Sequence, residues 1–148
     1  MKISSIAFIS GGRIQKKYTC DGENINPPLT ISEVPESAKS LVLVMEDPDA
    51  PMGTFYHWRV WNINPRITEI EENCPISNGE TIEGITSAGK PGYIGPCPPS
   101  GTHRYIIKVY ALNRLLDLAP QAQQTELEKA MQGNIIEQAE MMGVYSRE

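Results

Sequence analysis

The chain has 148 residues, of which 40% are hydrophobic, and a net charge of −5, so it is expected to form one domain over residues 1–148 rather than a disordered chain. The charges form no basic block and no apolar run approaches membrane-spanning length, so we expect neither a nucleic-acid partner nor a transmembrane segment. Cys20, Cys74 and Cys97 are odd in number and widely spaced, and residues 1–12 lack the features of a signal peptide. These features predict reduced thiols and a cytoplasmic location.

Strand patterns dominate the first three quarters of the chain. Twelve prolines and twelve glycines interrupt the sequence, which favours short strands over long helices. In chain order, two weak strand patterns lie at 4–9 and 28–32. Three strong ones follow at 40–46, 57–64 and 104–112. Alternation in 57–64 predicts that Trp58 and Val60 share one face and that Arg59, Trp61 and Ile63 share the other.

Helical patterns appear only near the end of the chain. Thr125 and Glu128 match a capping box, which predicts a helix that Gly133 ends. Asn134 is placed to cap a second short helix that ends at Gly143. The sequence therefore predicts a mostly β protein, an antiparallel β-sandwich with short C-terminal helices.

Two proline-stiffened segments carry the unusual chemistry of the sequence. "MEDPDAP" at 45–51 follows the first strong strand, and "GKPGYIGPCPPSGTHRY" at 89–105 leads into the third. If the three strong strands are antiparallel neighbours, polar side chains from both segments meet at one sheet edge: Asp47, Asp49, His57, His103 and Arg104. Taken singly, the Asp-Pro-Asp run is also typical of a turn, and each histidine is also typical of a packed residue. The conjunction of both histidines with both stiff segments favours a binding pocket.

Several motifs resemble the phosphatidylethanolamine-binding protein family, also called the Raf kinase inhibitor protein family, and most closely its short bacterial and archaeal branch. The matching stretches run in the family's order along nearly the whole chain: "YTCDGENINPPL" (18–29), "DPDAP" (47–51), "HW" and "VWNI" (57–63), "GYIGPCPPSGTHRYIIKVYAL" (92–112), "LLDLAP" and "GVYSR". The resemblance implies a large antiparallel sheet packed on a smaller one, with Greek-key connections and C-terminal helices. It also implies a pocket for small anions such as phosphate or the phosphoethanolamine headgroup.

The resemblance, joined with Arg104, gives the expected ligand-binding set. Its members are Asp47, Asp49, Pro51, His57, Tyr93, Gly95, Pro98, Pro99, His103, Arg104 and Tyr105. The resemblance further suggests that Tyr145 lines the pocket and that Pro51 and Pro99 follow cis peptide bonds.

The leading functional hypothesis is a non-enzymatic binding module, monomeric or homodimeric, that needs no cofactor or metal and regulates a partner. The alternative is inhibition of serine proteases, an activity reported within the family, with residues 66–88 as the candidate loop. A third hypothesis is a hydrolase in which Cys97 is the nucleophile beside His57, His103 and Asp47. The two histidines and an aspartate also form a conceivable metal site.

Overall fold

The computed structural model describes residues 1–76 and 79–147, and it forms two antiparallel sheets. The elements in chain order are β1 (Lys2–Ser4), a 3-10 turn (Lys16–Tyr18), β2 (Leu29–Ser32), β3 (Ser40–Asp47), β4 (Phe55–Ile63), β5 (Glu69–Ile70), β6 (Ile82–Glu83), β7 (His103–Leu112), α1 (Gln124–Met131) and β8 (Ile135–Tyr145). The large sheet has the strand order β6-β4-β3-β7-β8, and the small sheet has the order β1-β2-β5. Within the described residues, the helices are too short to cross a bilayer.

The three strong strand predictions are confirmed as β3, β4 and β7, and the 28–32 prediction is confirmed as β2. The first prediction, 4–9, is wrong, because β1 ends at Ser4. The Ser5 hydroxyl donates to the Pro28 carbonyl and accepts the Ala7 amide, so a local turn replaces the ladder there. Ile6 and Ile9 are also exposed and only Phe8 of this stretch is buried, so the stretch lacks the repeated burial of one face that is typical of a strand.

The main core lies between the two sheets. The side chains that β7 contributes to it are those expected from alternation, Tyr105, Ile107, Val109 and Ala111. A second cluster lies on the opposite face of the large sheet, where Leu127 and Met131 of α1 pack with Val42, Val44 and Trp61. Both faces of β3 and β4 are therefore covered, which explains why these strands are almost continuously buried.

The alternation predicted for β4 fails at its last residue. Ile63 packs in the main core with Trp58 and Val60, whereas Trp61 packs in the outer cluster. The reason is a register shift against β3, in which Leu41 pairs with Ile63 but Leu43 pairs with Val60. An extra residue in one strand reverses the side-chain alternation beyond it.

Asn62 is the residue that makes this bulge. Its φ is 58°, a left-handed conformation that Asn adopts more readily than most residues. Its side-chain amide donates to the Leu116 carbonyl at 2.8 Å, and its Oδ1 accepts the Leu116 amide at 2.7 Å. The bulge is thereby fixed to the segment that follows β7.

The prediction of a second C-terminal helix is wrong, because Ile135–Tyr145 forms β8. This strand pairs antiparallel with β7 from His103↔Tyr145 to Leu112↔Ile135. Sheet pairing and burial outweigh the modest helix propensity of the stretch. Gly143 does not end a helix; a Cβ there would collide with the Ile14 side chain.

The first helix is confirmed as α1, but it begins earlier than the sequence suggested. Its N-cap is Gln123, whose backbone amide donates to the Glu126 side chain at 2.9 Å. The capping pair is therefore not Thr125 with Glu128.

The prediction of reduced thiols is wrong for two of the three cysteines. Cys20 and Cys97 form a disulfide with a Cα–Cα distance of 5.4 Å, and Cys74 is free. The two partners are 77 residues apart in sequence, so only the fold brings them together. The cis predictions for Pro51 and Pro99 are also wrong, since all peptide bonds of the described chain are trans.

Candidate functional site

A cavity of about 240 Å³ opens where β3 ends and where β4 and β7 begin. Its walls are Asp47, Ala50, Pro51, Phe55, His57, Ile94, Cys97, Pro98, Pro99, His103 and Tyr105. The structure therefore brings both histidines and one aspartate into one hollow, together with both proline-rich segments. Most of the wall is apolar, so the few polar groups determine what the cavity can hold.

Asp47 and His103 form the polar end of the cavity. Asp47 is the last residue of β3 and His103 is the first of β7, and these strands are antiparallel neighbours. The His103 Nδ1 lies 2.7 Å from the Asp47 Oδ2, and the Asp47 Oδ1 accepts the Asp49 amide at 2.8 Å. Because an ionised carboxylate only accepts, the His103 Nδ1 donates, and Nε2 is the second ring nitrogen left for a ligand.

His57 is held by the loop that forms the opposite wall. Its Nδ1 donates to the Ile94 carbonyl at 2.8 Å, and the Ile94 amide donates back to the His57 carbonyl at 3.0 Å. Burial lowers the pKa of His57, although the Ile94 carbonyl and the charge of Asp47 act in the opposite direction. The ring is therefore a neutral imidazole at neutral pH, and Nε2 is the nitrogen that gains a proton on acidification.

Tyr105 lies between the two histidines. Its ring is edge-on to His57 at a centroid distance of 5.3 Å and stacked with His103 at 6.4 Å. The residue is completely buried, yet its hydroxyl has no partner in hydrogen-bonding geometry within residues 1–76 and 79–147. Burial first, and then the nearby Asp47 carboxylate, raise the pKa of Tyr105, so the hydroxyl keeps its proton. The cavity wall thus includes a buried residue whose hydroxyl lies near the Asp47 carboxylate but has no hydrogen bond of good geometry within the described chain.

Asp49 and Arg104 were expected in the ligand-binding set, and the structure places them at the rim of the cavity rather than among its wall residues. The Arg104 guanidinium forms a bidentate ion pair with Asp49, at 2.9 Å from Nε and 2.8 Å from Nη2, and the Arg104 amide donates to the same carboxylate. These hydrogen bonds lower the pKa of Asp49 to about 2 and raise the pKa of Arg104. The positive charge expected in the pocket is therefore neutralised at its rim.

Tyr93 and Gly95 lie behind the wall rather than in it. The Tyr93 hydroxyl donates to the Tyr18 carbonyl at 2.7 Å, and its ring meets Trp58 edge-on at 5.5 Å. The Gly95 amide donates to the Asn24 Oδ1 at 2.7 Å, and a Cβ on Gly95 would collide with the Tyr18 carbonyl. Both residues brace the loop against the N-terminal segment, so their role is to position the wall.

Tyr145 is also outside the cavity, although it pairs with His103 across β7 and β8. Its hydroxyl donates to the Asp21 Oδ2 at 2.6 Å, and the Arg13 guanidinium lies 4.8 Å from its ring centroid. The residue joins the C-terminal strand to the N-terminal segment instead of meeting a ligand.

Three wall residues were missed from the sequence, Ala50, Phe55 and Ile94, and Cys97 was placed there only as the nucleophile of the hydrolase hypothesis. Phe55 carried a usable signal, since it lies two residues before His57 and shares its face of β4. The two rings are 4.7 Å apart. Ile94 and Cys97 belong to an irregular loop, in which spacing does not indicate direction.

Two alternative chemistries do not fit the structure. The sulfur of Cys97 is bonded to Cys20, so the hydrolase hypothesis lacks the thiolate that it requires. Across residues 1–76 and 79–147, no three His, Cys, Asp or Glu side chains are grouped so that they could hold a metal ion. Of the candidate protease-binding loop 66–88, the structure gives β5 and β6, and residues 77 and 78 lie outside the described part.

Comparisons with known proteins agree with this architecture. The family model for phosphatidylethanolamine-binding protein matches residues 4–146. A UPF0098 protein of Methanothermobacter thermautotrophicus is 46% identical over 151 residues, covering 99% of both chains. The crystal structure of CT736 from Chlamydia trachomatis, named as a homologue of phosphatidylethanolamine-binding protein, has a TM-score of 0.94 at 41% identity and covers 99% of this chain and 97% of its own.

A second solved structure extends the likeness. YbcL of E. coli, described as a member of the mammalian PEBP family, has a TM-score of 0.92 at 28% identity, covering 99% of this chain and 98% of its own. The family model, the sequence relatives and the solved structures all span nearly the full chain. This chain belongs to the phosphatidylethanolamine-binding protein family.

Proposed function

We propose that the cavity binds a small anionic group of the phosphate or phosphoethanolamine-headgroup type, and that the protein acts as a non-enzymatic binding and regulatory module. The observation that carries the proposal is the buried Tyr105 hydroxyl, which lines the cavity without a partner among the described residues. A buried donor that the protein leaves unsatisfied costs free energy, and a ligand oxygen would satisfy it. The names of the relatives, as phosphatidylethanolamine-binding protein homologues, support the same class of ligand.

The size of the cavity favours a headgroup over a larger ligand. Its volume of about 240 Å³ lies below the range typical of sites for drug-sized molecules, roughly 300–1,000 Å³. The rings of His57, Tyr105 and Phe55 and the prolines of both loops leave room for one compact group. Any longer tail of the ligand would extend past the exposed Pro51 and Pro99.

The charges favour a zwitterion over bare phosphate. Asp47 is negative, and the nearby Arg104 is already paired with Asp49 on the rim. A phosphate alone would therefore meet a carboxylate in a wall that offers it no arginine or lysine. An ethanolamine ammonium suits the Asp47 carboxylate, while the phosphate oxygens suit the Tyr105 hydroxyl and a protonated His57.

The test is isothermal titration calorimetry with O-phosphoethanolamine and with inorganic phosphate, on the wild-type chain and on Tyr105→Phe. We expect phosphoethanolamine to bind more tightly than phosphate, and Tyr105→Phe to weaken both by about tenfold, which is the worth of one hydrogen bond to a charged group. The substitution should not destabilise the free protein, because it removes a hydroxyl that has no partner in the described part of the chain. Tyr110→Phe is the matched control, since Tyr110 lies on the opposite face of β7.

Absence of heat with both ligands at millimolar concentration would reject the proposed ligand class. Equal affinities of Tyr105→Phe and wild type would reject the role of the hydroxyl. Inhibition of serine proteases stays a prediction from the family resemblance, because no contact in the described part of the chain specifically favours it.

A further inference from the structure

The Cys20–Cys97 disulfide forms part of the cavity wall. Cys97 lines the cavity and is exposed to solvent, whereas Cys20 is half-buried. Pro98 and Pro99, which follow Cys97 in the chain, line the cavity as well. The disulfide thus joins an exposed residue of the cavity wall to a half-buried residue of the N-terminal segment.

The loop that carries Cys97 is fastened in two different ways. Up to Pro96 it is held by hydrogen bonds: the Ile94 amide to His57, the Gly95 amide to Asn24, and the Cys20 amide to the Pro96 carbonyl at 3.1 Å. From 97 to 102, all of which are described, the chain makes no hydrogen bond to the rest of the described protein. Two of those residues are prolines, which have no amide to donate. The second half of the loop is therefore held by the disulfide and by the packing of the buried Pro98.

We propose that the Cys20–Cys97 disulfide is a site of thiol–disulfide exchange with a dithiol reductant, and that its reduction releases the Pro98–Pro99 wall and weakens ligand binding; the second part rests on the proposed function. A thiolate of the reductant attacks the sulfur of Cys97, the more exposed residue of the pair, and forms a mixed disulfide. Cys20 leaves as a thiolate and takes a proton from solvent. The second thiol of the reductant, as a thiolate, then attacks the reductant sulfur that is bonded to Cys97. Cys97 leaves as a thiolate and takes a proton from solvent. The reductant is oxidised to a disulfide, and the protein gains two electrons and two protons.

The position of the disulfide limits the structural effect of its reduction to one wall of the cavity. Reduction leaves the reciprocal His57–Ile94 hydrogen bonds and the Tyr93 hydroxyl bond to Tyr18 intact. The buried polar groups Asp47, His57 and His103 therefore keep their places, and only the apolar wall opposite them gains freedom. Ligand affinity then falls because part of the binding energy is spent on ordering residues 97–102 again.

The experiment uses the full chain with Cys74→Ser, so that only the paired cysteines respond to reductant. O-phosphoethanolamine is titrated calorimetrically into the oxidised protein, into protein reduced with dithiothreitol and freed of it under nitrogen, and into reoxidised protein. We expect the Kd to rise at least fivefold on reduction and to return on reoxidation. Cys20→Ser/Cys97→Ser is the control, and it should bind as weakly as the reduced protein and ignore dithiothreitol. A reduced protein with two alkylatable thiols and an unchanged Kd would overturn the proposal.

A measurement without ligand separates this inference from the proposed function. Backbone ¹⁵N relaxation should show the order parameters of residues 100–102 falling below about 0.6 on reduction, while the Ile94 amide stays protected from hydrogen exchange. If the oxidised protein binds no phosphoethanolamine, the proposed function fails, and the relaxation data alone decide whether the exchange releases the wall. Unchanged order parameters after complete reduction would overturn the release.

Discussion

The imidazole of His103 donates to the carboxylate of Asp47 across 2.7 Å, and this contact joins the start of one central strand to the end of its neighbour. Both side chains are at least nine-tenths buried. Asp47 also accepts the Asp49 amide, so its two oxygens are committed to different partners. The pair therefore fixes the polar end of the cavity and the turn that follows β3.

The substitution Asp47→Asn should weaken the hydrogen bond between residue 47 and His103. The carboxamide that it introduces lacks the negative charge that strengthens a buried hydrogen bond to an imidazole, so the free energy of unfolding should fall by about 2 kcal/mol. Urea denaturation followed by tryptophan fluorescence measures the change. Asp117→Asn is the control, because Asp117 is exposed and its replacement should change stability by less than about 0.5 kcal/mol. Similar small losses in both variants would contradict the importance of the pair.

Stability should depend on pH through His57. Burial lowers its pKa in the folded state below the ordinary value of 6.5, so the unfolded chain binds the proton more readily. The free energy of unfolding should therefore fall as pH decreases through 6.5, by at most about 1.4 kcal/mol per pH unit, until the folded-state pKa is reached. Denaturation curves at several pH values for wild type and His57→Gln measure this. The variant should show the smaller slope, and parallel slopes would exclude His57.

The affinity for an anion should change with pH in the opposite direction to stability, so it should rise as pH decreases. An anion in the cavity stabilises protonated His57, so binding takes up a proton and weakens as pH rises. Sulfate is the suitable probe, because its charge does not change between about pH 5 and 8. Its affinity should fall by at most about tenfold per pH unit above the pKa of His57 in the ligand-free protein, and it should depend much less on pH in His57→Gln. A pH-independent affinity in the wild type would remove the histidine from the model.

The rim ion pair predicts an unusual carboxyl titration. The pKa of Asp49 should be about 2, because the side chain and the amide of Arg104 both donate to it. In Arg104→Ala it should rise towards the ordinary value of 3.8. Carbon-detected NMR titration of the aspartate carboxyl groups measures both values. Arg114→Ala is the matched control, since that guanidinium donates to the adjacent Leu115 carbonyl instead; an Asp49 pKa equally low in all three proteins would refute the assignment.

The bulge in β4 should be sensitive to its residue. Asn62→Ala removes two buried hydrogen bonds and places an alanine at a φ of 58°, so we expect a loss of about 3 kcal/mol. Asn62→Gly removes the same bonds but accepts this φ, so its loss should be smaller by about 1 kcal/mol. Thermal and urea denaturation compare the two, with the exposed Asn113→Ala as control. Equal losses for Ala and Gly would show that the backbone conformation contributes nothing.

Local sequence patterns were informative where burial repeats along the chain. β3 was found because a run of apolar, β-branched residues marks a strand that is covered on both faces, and β4 and β7 were found from the alternation of their side chains. The pattern failed at Asn62, because a bulge changes the alternation without a strong local mark. It failed again at Ile135–Tyr145, where residues with fair helix propensity form a strand because β7 offers a partner.

For the site, too, some features could be predicted from the sequence and others could not. The histidines and Asp47 were placed together from two assumptions, that the strands are antiparallel neighbours and that both stiff segments end at one edge. The side-chain directions of Arg104 and Tyr93 did not follow from those assumptions, since each depends on a partner distant in sequence, Asp49 or Tyr18.

The class of fold, the family resemblance and the segments that meet at the cavity depend on residue types and their order, so they could be predicted before any coordinates. The identity of the joined cysteines, the ion pair between Asp49 and Arg104, and the buried Tyr105 hydroxyl became known from the folded chain. Burial and pairing are relations between atoms that meet only after folding, and for this reason they leave little trace in local patterns. A disulfide that spans 77 residues and an unpartnered tyrosine hydroxyl among the described core residues have no local signature.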